Sequence, residues 1–187
     1  MIIRLNDAAL NVLMANLVFL GDSLTEWFDW QSRFPQHHVT NLGISGEPVE
    51  GLLDRRERIR ASIDDPDFIF LMTGINNLAT GQYDIIVPYG EIVRNLTTWY
   101  KEAVLIIQSI LPVDLTWISN TMIKDTNRQL EQIARDHGAE YLDINRQFVD
   151  SEGNPYRGYL SDDGVHLASR GYDVWAKEVE SFLKNHQ

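Results

Sequence analysis

Five short apolar runs, separated by longer stretches with helical periodicity, constrain the fold of this chain more than any other feature of its sequence. The runs are rich in Val, Ile and Phe, which is typical of buried strands. They cover residues 17–21, 38–43, 68–74, 103–109 and 139–144. Because strands separated by helices pair in parallel through right-handed crossovers, the pattern predicts a five-stranded parallel sheet in a three-layer α/β/α sandwich.

The stretches between these runs predict four helices, whereas a shorter segment joins the first two strands. The predicted helices cover residues 49–63, 85–101, 120–137 and 169–184, and Gly138 is a typical helix stop. The chain has 187 residues, of which 44% are apolar, so it is long enough to bury a sizeable core. We therefore expect a single domain over residues 1–187.

Composition limits the classes of partner and site. Lys and Arg number 16 against 27 Asp and Glu, and the resulting net charge of −11 makes nucleic acid and anionic membranes poor partners. Because the chain has no cysteine, a disulfide framework, a thiolate metal site and a cysteine nucleophile are excluded. The N-terminal residues lack the pattern of a signal peptide, so we expect a cytoplasmic protein without a spanning helix. The charge leaves a homodimer open.

Each of the first three predicted strands ends at small or polar residues. Ser23 follows the first strand, Gly43 and Gly46 follow the second, and Asn76 and Asn77 follow the third. In a parallel α/β sheet the loops after the strands gather at one edge, where ligand sites form. We therefore expect a hydroxyl, a glycine-rich turn and an amide to lie close together.

A base for this hydroxyl is present near the C-terminus in "SDDGVHLASRGYDVW". Asp163 and His166 lie three residues apart, so both can lie on one turn. A serine is a poor nucleophile until an imidazole takes its proton, and that imidazole needs a carboxylate at its other nitrogen. The long connection over residues 145–164 can carry His166 back to Ser23.

Each of these features also has an ordinary structural explanation. Gly-Asp-Ser fits a turn with a helix cap, and "GISG" fits a tight turn, although it lacks the Gly-Lys-Ser/Thr ending of a phosphate-binding loop. Asn76 and Asn77 can cap the next segment, and Asp163 can simply satisfy a half-buried His166. The joint occurrence of all four features, in order and at strand ends, favours one catalytic site.

The same residues resemble the four signature blocks of the SGNH hydrolase (GDSL lipase/esterase) superfamily. The blocks "GDSLTE", "NLGISGE", "IQSILP" and "DGVHL" are similar to the branch of small cytoplasmic esterases akin to the catalytic subunits of platelet-activating-factor acetylhydrolase. The resemblance spans residues 17–175 and implies a flavodoxin-like fold and no cofactor.

The resemblance also implies a role for individual residues. Ser23 would be the nucleophile, His166 the general base and then acid, and Asp163 its orienting partner. The backbone N–H of Ser23, the backbone N–H of Gly46 and the side-chain amide of Asn76 would form the oxyanion hole. Gly46 is preferred over Gly43 because the family glycine precedes an acidic residue.

Two positions depart from the commonest pattern of the family. Many members have Asp where this chain has Glu47, and many have Asp where it has Asn77. Neither position is expected to contact the reacting atoms, so the departures concern the loops more than the chemistry.

The sequence says less about the substrate. Trp27, Trp30 and Tyr159 could line a substrate pocket, although core or surface packing explains such aromatics equally well. Short acyl esters, with acetylated sugars as a natural class, are the expected substrates. A thioesterase or lysophospholipase would use the same machinery, and a non-catalytic nucleotide- or phosphate-binding module is the remaining alternative.

A metal site is not expected. His37, His38 and His137 have no second ligand at metal-binding spacing, and we interpret them as surface residues.

Overall fold

The computed structural model describes residues 14–186, and its centre is a five-stranded, all-parallel sheet. The strands are β1 (Asn16–Gly21), β2 (His38–Gly43), β3 (Phe68–Met72), β4 (Val104–Gln108) and β5 (Glu140–Leu142). Their order across the sheet is β2-β1-β3-β4-β5. The chain first adds β2 on one side of β1 and then adds β3, β4 and β5 on the other side, so the strand order reverses at β1. Such a reversal opens a crevice at the carboxyl ends of the strands.

Eight helices connect and flank the strands in the described residues. They are α1 (Ser23–Glu26), α2 (Trp30–Arg33), α3 (Val49–Asp54), α4 (Arg56–Ser62), α5 (Ile75–Ala79), α6 (Ile86–Trp99), α7 (Asn120–His137) and α8 (Ser169–Asn185). Because crossovers are right-handed, α3, α6 and α7 lie on one face, while α1, α2 and α8 lie on the other. The predicted three-layer α/β/α sandwich with a five-stranded parallel sheet is confirmed.

One predicted helix is divided in two. Residues 49–63 were expected to form a single helix, but α3 ends at Asp54 and α4 begins at Arg56. Between them, Arg55 has φ −87° and ψ 14°, outside regular helical geometry. Its guanidinium folds back to the carbonyl oxygen of Leu42 at 2.7 Å, at the end of β2. A long-range contact therefore overrides the helical pattern here.

The connection over residues 145–164 is less irregular than the sequence suggested. It contains a 3-10 turn at Asn145–Gln147, and isolated bridges pair Val149 with Pro155 and Leu160 with Leu167. These pairings hold the segment that ends at His166.

The predictions for the N-terminal segment and for one domain over the whole chain involve residues 1–13 and 187, which lie outside the described residues. Within residues 14–186, no helix is long and apolar enough to cross a membrane.

Candidate active site

Ser23 lies at the reactive edge of the sheet because β1 ends two residues before it. Asp22 accepts a hydrogen bond from the backbone N–H of Leu24 at 3.0 Å and so caps α1, of which Ser23 is the first residue. Backbone N–H groups in the first turn of a helix have no intrahelical acceptor. The Ser23 N–H therefore has no intrahelical acceptor, and the side chain of Ser23 is largely buried.

The loop before α8 brings His166 to this hydroxyl. Nε2 of His166 lies 2.9 Å from Oγ of Ser23, although the two residues are 143 positions apart. On the other side of the ring, Nδ1 of His166 lies 2.6 Å from Oδ2 of Asp163. The three side chains predicted from the sequence therefore form one continuous hydrogen-bonded chain.

Asp163 is held by a dense local network. Its Oδ1 atom accepts hydrogen bonds from the backbone N–H of Val165 at 2.9 Å, the backbone N–H of His166 at 2.8 Å and the hydroxyl of Ser161 at 2.9 Å. Partial burial opposes the negative charge of Asp163, but these bonds and the His166 ring outweigh it and hold the pKa of Asp163 well below its ordinary value. The carboxylate therefore stays ionised beside the imidazole.

Gly46 and Asn76 meet at the turn after β2. The N–H of Glu47 donates to the carbonyl oxygen of Ile44 at 3.2 Å and closes this turn, and Gly46 adopts a φ of +73° within it. Such a φ strains any residue with a Cβ atom, which explains the glycine. Nδ2 of Asn76, in the first turn of α5, donates to the carbonyl oxygen of Glu47 at 3.1 Å. The amide of Asn76 is thus bound to the backbone of the residue that follows Gly46.

Gly43 has a different function in the structure. Its N–H already donates to Oδ1 of Asn41 at 3.0 Å. A Cβ atom on Gly43 would lie 2.4 Å from the backbone nitrogen of Glu26, so this glycine permits close packing of α1 against the end of β2. The N–H of Gly43 is therefore engaged, and the role of Gly46 as an oxyanion donor stays a prediction.

The family profile described as GDSL-like Lipase/Acylhydrolase matches residues 19–174, which is most of the chain. The chain belongs to this family. It is a carboxylic ester hydrolase, and its substrates are small-molecule esters. No curated protein sequence matches this hydrolase significantly.

Several solved structures are similar to this GDSL-like hydrolase. A Streptococcus pneumoniae protein provisionally named as a platelet activating factor has a TM-score of 0.82 and 25% sequence identity, covering 94% of this chain and 86% of its own. A GDSL-like lipase from Bacteroides thetaiotaomicron has a TM-score of 0.73 and 19% identity, covering 92% and 89%. A variant of Axe2, an acetyl-xylooligosaccharide esterase from Geobacillus stearothermophilus, has a TM-score of 0.70 and 22% identity, covering 90% and 94%. The last two share the fold of the hydrolase.

Asp22 is a second unusual carboxyl group at the site of this GDSL-like hydrolase. Its side chain is fully buried, and burial raises its pKa from 3.8 to about 7, although the N–H of Leu24 and the charge of His166 act in the opposite direction. Its Oδ2 atom has no hydrogen-bond partner among residues 14–186. No role of Asp22 is predictable from the sequence, because burial this deep depends on the packing around the strand end.

Of the three aromatic residues predicted to line a pocket, Trp27 lies at the site. Its indole stacks on the imidazole of His166 with 4.1 Å between the ring centroids and 17° between the planes. The indole nitrogen donates to the hydroxyl of Ser45 at 2.8 Å, and the side chain remains 58% exposed.

Trp30 is part of the core, so the prediction that it lines the substrate pocket is wrong. Its side chain is 1% exposed and stacks on Phe19 at 4.0 Å, while its edge meets Trp175 at 4.9 Å. The indole nitrogen donates to the backbone carbonyl of Thr25 at 3.0 Å. These contacts join β1 to α8, and the core explanation left open by the sequence applies to Trp30.

Tyr159 packs within the long loop. Its ring meets Phe148 edge-on at 5.5 Å, and the guanidinium of Arg170 lies 5.2 Å from its centroid. Packing accounts for these contacts, and a role of Tyr159 in substrate binding stays a prediction.

Glu47 and Arg55 brace the turn that carries Gly46, a function that sequence reasoning missed. The guanidinium of Arg55 binds the Glu47 carboxylate through Nε at 2.7 and 2.9 Å and through Nη2 at 2.7 Å. Both side chains are largely buried. The spacing of eight residues across a helix break gave no signal for this pair.

Asn77 is the second position that departs from the family pattern, and its side chain has a structural role. Its Oδ1 atom accepts the backbone N–H of Val49 at 2.9 Å, and its Nδ2 atom donates to Glu50 at 2.7 Å. Asn77 thus caps the start of α3 and contributes to the scaffold.

The interpretation of His37, His38 and His137 as surface residues needs one correction. His38 is exposed and His137 is half-buried, but His37 is buried, and its Nδ1 atom accepts the backbone N–H of Ala15 at 3.2 Å. Burial lowers the pKa of His37, against a smaller effect of Asp67. In the described part of the chain, no three His, Asp or Glu side chains are grouped to hold a metal ion.

Proposed function

We propose that this hydrolase cleaves short-chain esters, in particular acetyl esters, through a covalent acyl-enzyme. One observation carries the proposal. Ser23, His166 and Asp163 form a continuous chain of hydrogen bonds, with 2.9 Å between Ser23 Oγ and His166 Nε2 and 2.6 Å between His166 Nδ1 and Asp163 Oδ2. In this proposal Ser23 is the nucleophile, His166 the general base and acid, and Asp163 the residue that orients the imidazole.

The proposed reaction has two halves. Ser23 Oγ attacks the ester carbonyl carbon while its proton passes to Nε2 of His166. The carbonyl π-electrons move onto oxygen and form the tetrahedral oxyanion. When this intermediate collapses, the C–O bond to the alcohol breaks and the alcohol takes the proton from His166. Water then gives a proton to His166 and attacks the acyl carbon. When this second intermediate collapses, the bond to Ser23 Oγ breaks, Oγ takes the proton back from His166, and the carboxylic acid leaves.

The oxyanion is proposed to bind three donors, namely the backbone N–H groups of Ser23 and Gly46 and the side-chain amide of Asn76. The Asn76 amide uses one hydrogen on the Glu47 carbonyl at 3.1 Å, which leaves its second hydrogen for a ligand. Donors placed in advance at the site of developing charge lower the barrier without reorganising in the transition state.

One similarity supports a short acyl group and a sugar-like alcohol. Axe2, which shares the fold at 22% identity, is an acetyl-xylooligosaccharide esterase. Acetylated sugars are therefore the substrate class to test first.

The test is a series of chromogenic esters from acetyl to dodecanoyl, run beside acetylated xylooligosaccharides and acyl thioesters. We expect the highest kcat/KM for acetyl esters and loss of hydrolysis in Ser23→Ala. Ser151→Ala, which changes an exposed serine of the long loop, is the matched control and should retain activity. Preference for long acyl chains or thioesters would assign the lysophospholipase or thioesterase alternative. Equal activity of Ser23→Ala and wild type would refute the proposed nucleophile.

Several features of the proposal come from the sequence alone and stay predictions. They are a single domain, a cytoplasmic location, independence of cofactors, and the poor fit of nucleic acid and membranes as partners. A homodimer remains to be measured.

A further inference from the structure

The indole of Trp27 covers one face of the imidazole that serves as base. The ring centroids lie 4.1 Å apart and the planes are within 17° of parallel, which is a stacked arrangement. Trp27 comes from the end of α1, whereas His166 comes from the loop before α8. The stack therefore joins the segment that carries the nucleophile to the segment that carries the base.

Two polar residues hold the indole in this place. The indole N–H of Trp27 donates to Oγ of Ser45 at 2.8 Å. Ser45 in turn donates to the carboxylate of Glu26 through its hydroxyl and through its backbone N–H, the latter at 2.8 Å. Because Ser45 directly precedes Gly46, the same bonds also fix the turn proposed to supply an oxyanion donor.

The position of His166 explains why such a stack matters. The hydrogen bonds to Ser23 and Asp163 act at the two ring nitrogens and in the plane of the imidazole. Bonds of this kind resist rotation within the plane, but they leave the ring freer to tilt about the line that joins them. His166 and Asp163 also lie in a partly exposed loop, with 24% and 51% of their side chains accessible. A flat group on the ring face supplies the missing restraint.

We infer that Trp27 is a positioning residue that holds the His166 imidazole in line with Ser23, and that Ser45 and Glu26 hold Trp27 for this purpose. The inference rests on the proposed function. When His166 takes the proton from Ser23, the resulting cation lies against the electron-rich face of the indole, which favours the charge. Trp27 thus acts through His166, whereas a substrate platform would act on the alcohol group directly.

The split between kcat and KM separates these two roles. We expect Trp27→Leu to lower kcat by roughly ten- to a hundredfold with little change in KM, because misplaced catalytic groups lose rate at this scale. Trp27→Phe keeps a stacking ring and should recover most of the loss. Trp99→Leu removes a half-buried tryptophan at the opposite edge of the sheet, next to Arg60, and should leave kcat unchanged.

The hydrogen bond between the Trp27 indole and Ser45 has its own test. Ser45→Ala removes the acceptor of the indole N–H and should lower kcat several-fold. If Ser45 acts through Trp27, the double variant of Trp27→Leu with Ser45→Ala should lose little more than Trp27→Leu alone. Independent, multiplicative losses would overturn the role of Ser45 as an anchor.

A measurement without substrate keeps the inference separate from the proposed function. NMR relaxation of the His166 ring reports how rigidly the imidazole is held, and its order parameter should fall in Trp27→Leu but not in Trp99→Leu. An unchanged order parameter, or a rise in KM with wild-type kcat, would overturn the positioning role. If wild type hydrolyses no ester, the proposed function fails, and the order parameter still decides whether Trp27 positions the ring.

Discussion

Two regions of the molecule meet at the hydrogen bond between Ser23 and His166, and they are built in different ways. The strand-end region, residues 21–26, 43–47 and 74–77, is formed by the ends of three neighbouring strands and is buried or half-buried except at Glu26 and residues 44–46. The base loop, residues 161–166, lies at the surface and is held by hydrogen bonds within a few residues. In each region one aspartate accompanies the reactive residue: Asp22 directly precedes Ser23, and Asp163 binds the His166 ring.

The pKa values of these two aspartates move in opposite directions. Burial raises the pKa of Asp22 to about 7, whereas local hydrogen bonds hold the pKa of Asp163 well below its ordinary value. The strand ends therefore hold Ser23, the proposed nucleophile, at the expense of a buried carboxyl group. The base loop can keep a full negative charge because water and nearby N–H groups solvate it.

The largest expected effect comes from removing the charge of Asp163 in the base loop. Asp163→Asn should lower kcat about ten-thousandfold, since an amide no longer holds the imidazole in the required tautomer. The measurement is kcat for an acetyl ester at neutral pH. Asp162→Asn, which changes the neighbouring exposed aspartate, should leave kcat close to that of wild type. Comparable losses in both variants would remove the distinction between Asp163 and the rest of the loop.

The strand-end region should respond to pH through Asp22. Its pKa is raised from 3.8 in the unfolded chain to about 7 in the folded one, so between these values the folded state binds more protons than the unfolded state. The free energy of unfolding should therefore fall as pH rises from about 4 to about 7, by about 4 kcal/mol in total. Asp22→Asn should abolish this decline.

Urea unfolding from pH 4 to pH 8 measures this effect for wild type and Asp22→Asn. Asp162→Asn is again a matched control and should keep the decline of wild type. Asp163 acts in the opposite sense, because its lowered pKa adds stability that is lost as pH falls below about 4. A wild-type curve without slope between pH 4 and pH 7 would contradict the raised pKa of Asp22.

Features of the two regions that depend on residues close together in the sequence were predictable, whereas features that depend on residues far apart in the sequence were not. The buried runs predicted the strands because β1 and β3 are covered on both faces, and the three-residue spacing predicted the contact of Asp163 with His166. Trp30 was assigned wrongly because its burial depends on Trp175, which is 145 positions away. Ser45 gave no signal for the same reason, since its contacts to Glu26 and Trp27 exist only after β1 and β2 have paired.

Substitution of Asn76 tests whether a side chain of the strand-end region donates a hydrogen bond to the oxyanion. Asn76→Ala should lower kcat roughly a hundredfold, or about 3 kcal/mol of transition-state stabilisation, with a smaller change in KM. Asn154→Ala, at an exposed position of the long loop, provides the comparison. Near-normal turnover of Asn76→Ala would exclude the amide from the site and leave the backbone donors alone.

The smallest expected effect concerns the hydrogen bond by which α8, near the C-terminus, supports α1. The hydroxyl of Tyr172, in α8, donates to the backbone carbonyl of Leu24 at 3.1 Å in a buried place. Tyr172→Phe should lower the free energy of unfolding by about 1 kcal/mol. Its kcat should stay within about twofold of wild type if the strand ends alone position Ser23. A much larger loss of kcat would show that α8 also orients the nucleophile.

The break between α3 and α4 has a consequence for where this chain can be changed. Arg55 ends α3 and ties it to Glu47 and to the end of β2, so the turn that carries Gly46 is fixed before α4 begins. α4 itself buries Ile59 and exposes its other side chains. Substitutions at these exposed positions of α4 should therefore change kcat less than substitutions in residues 44–55.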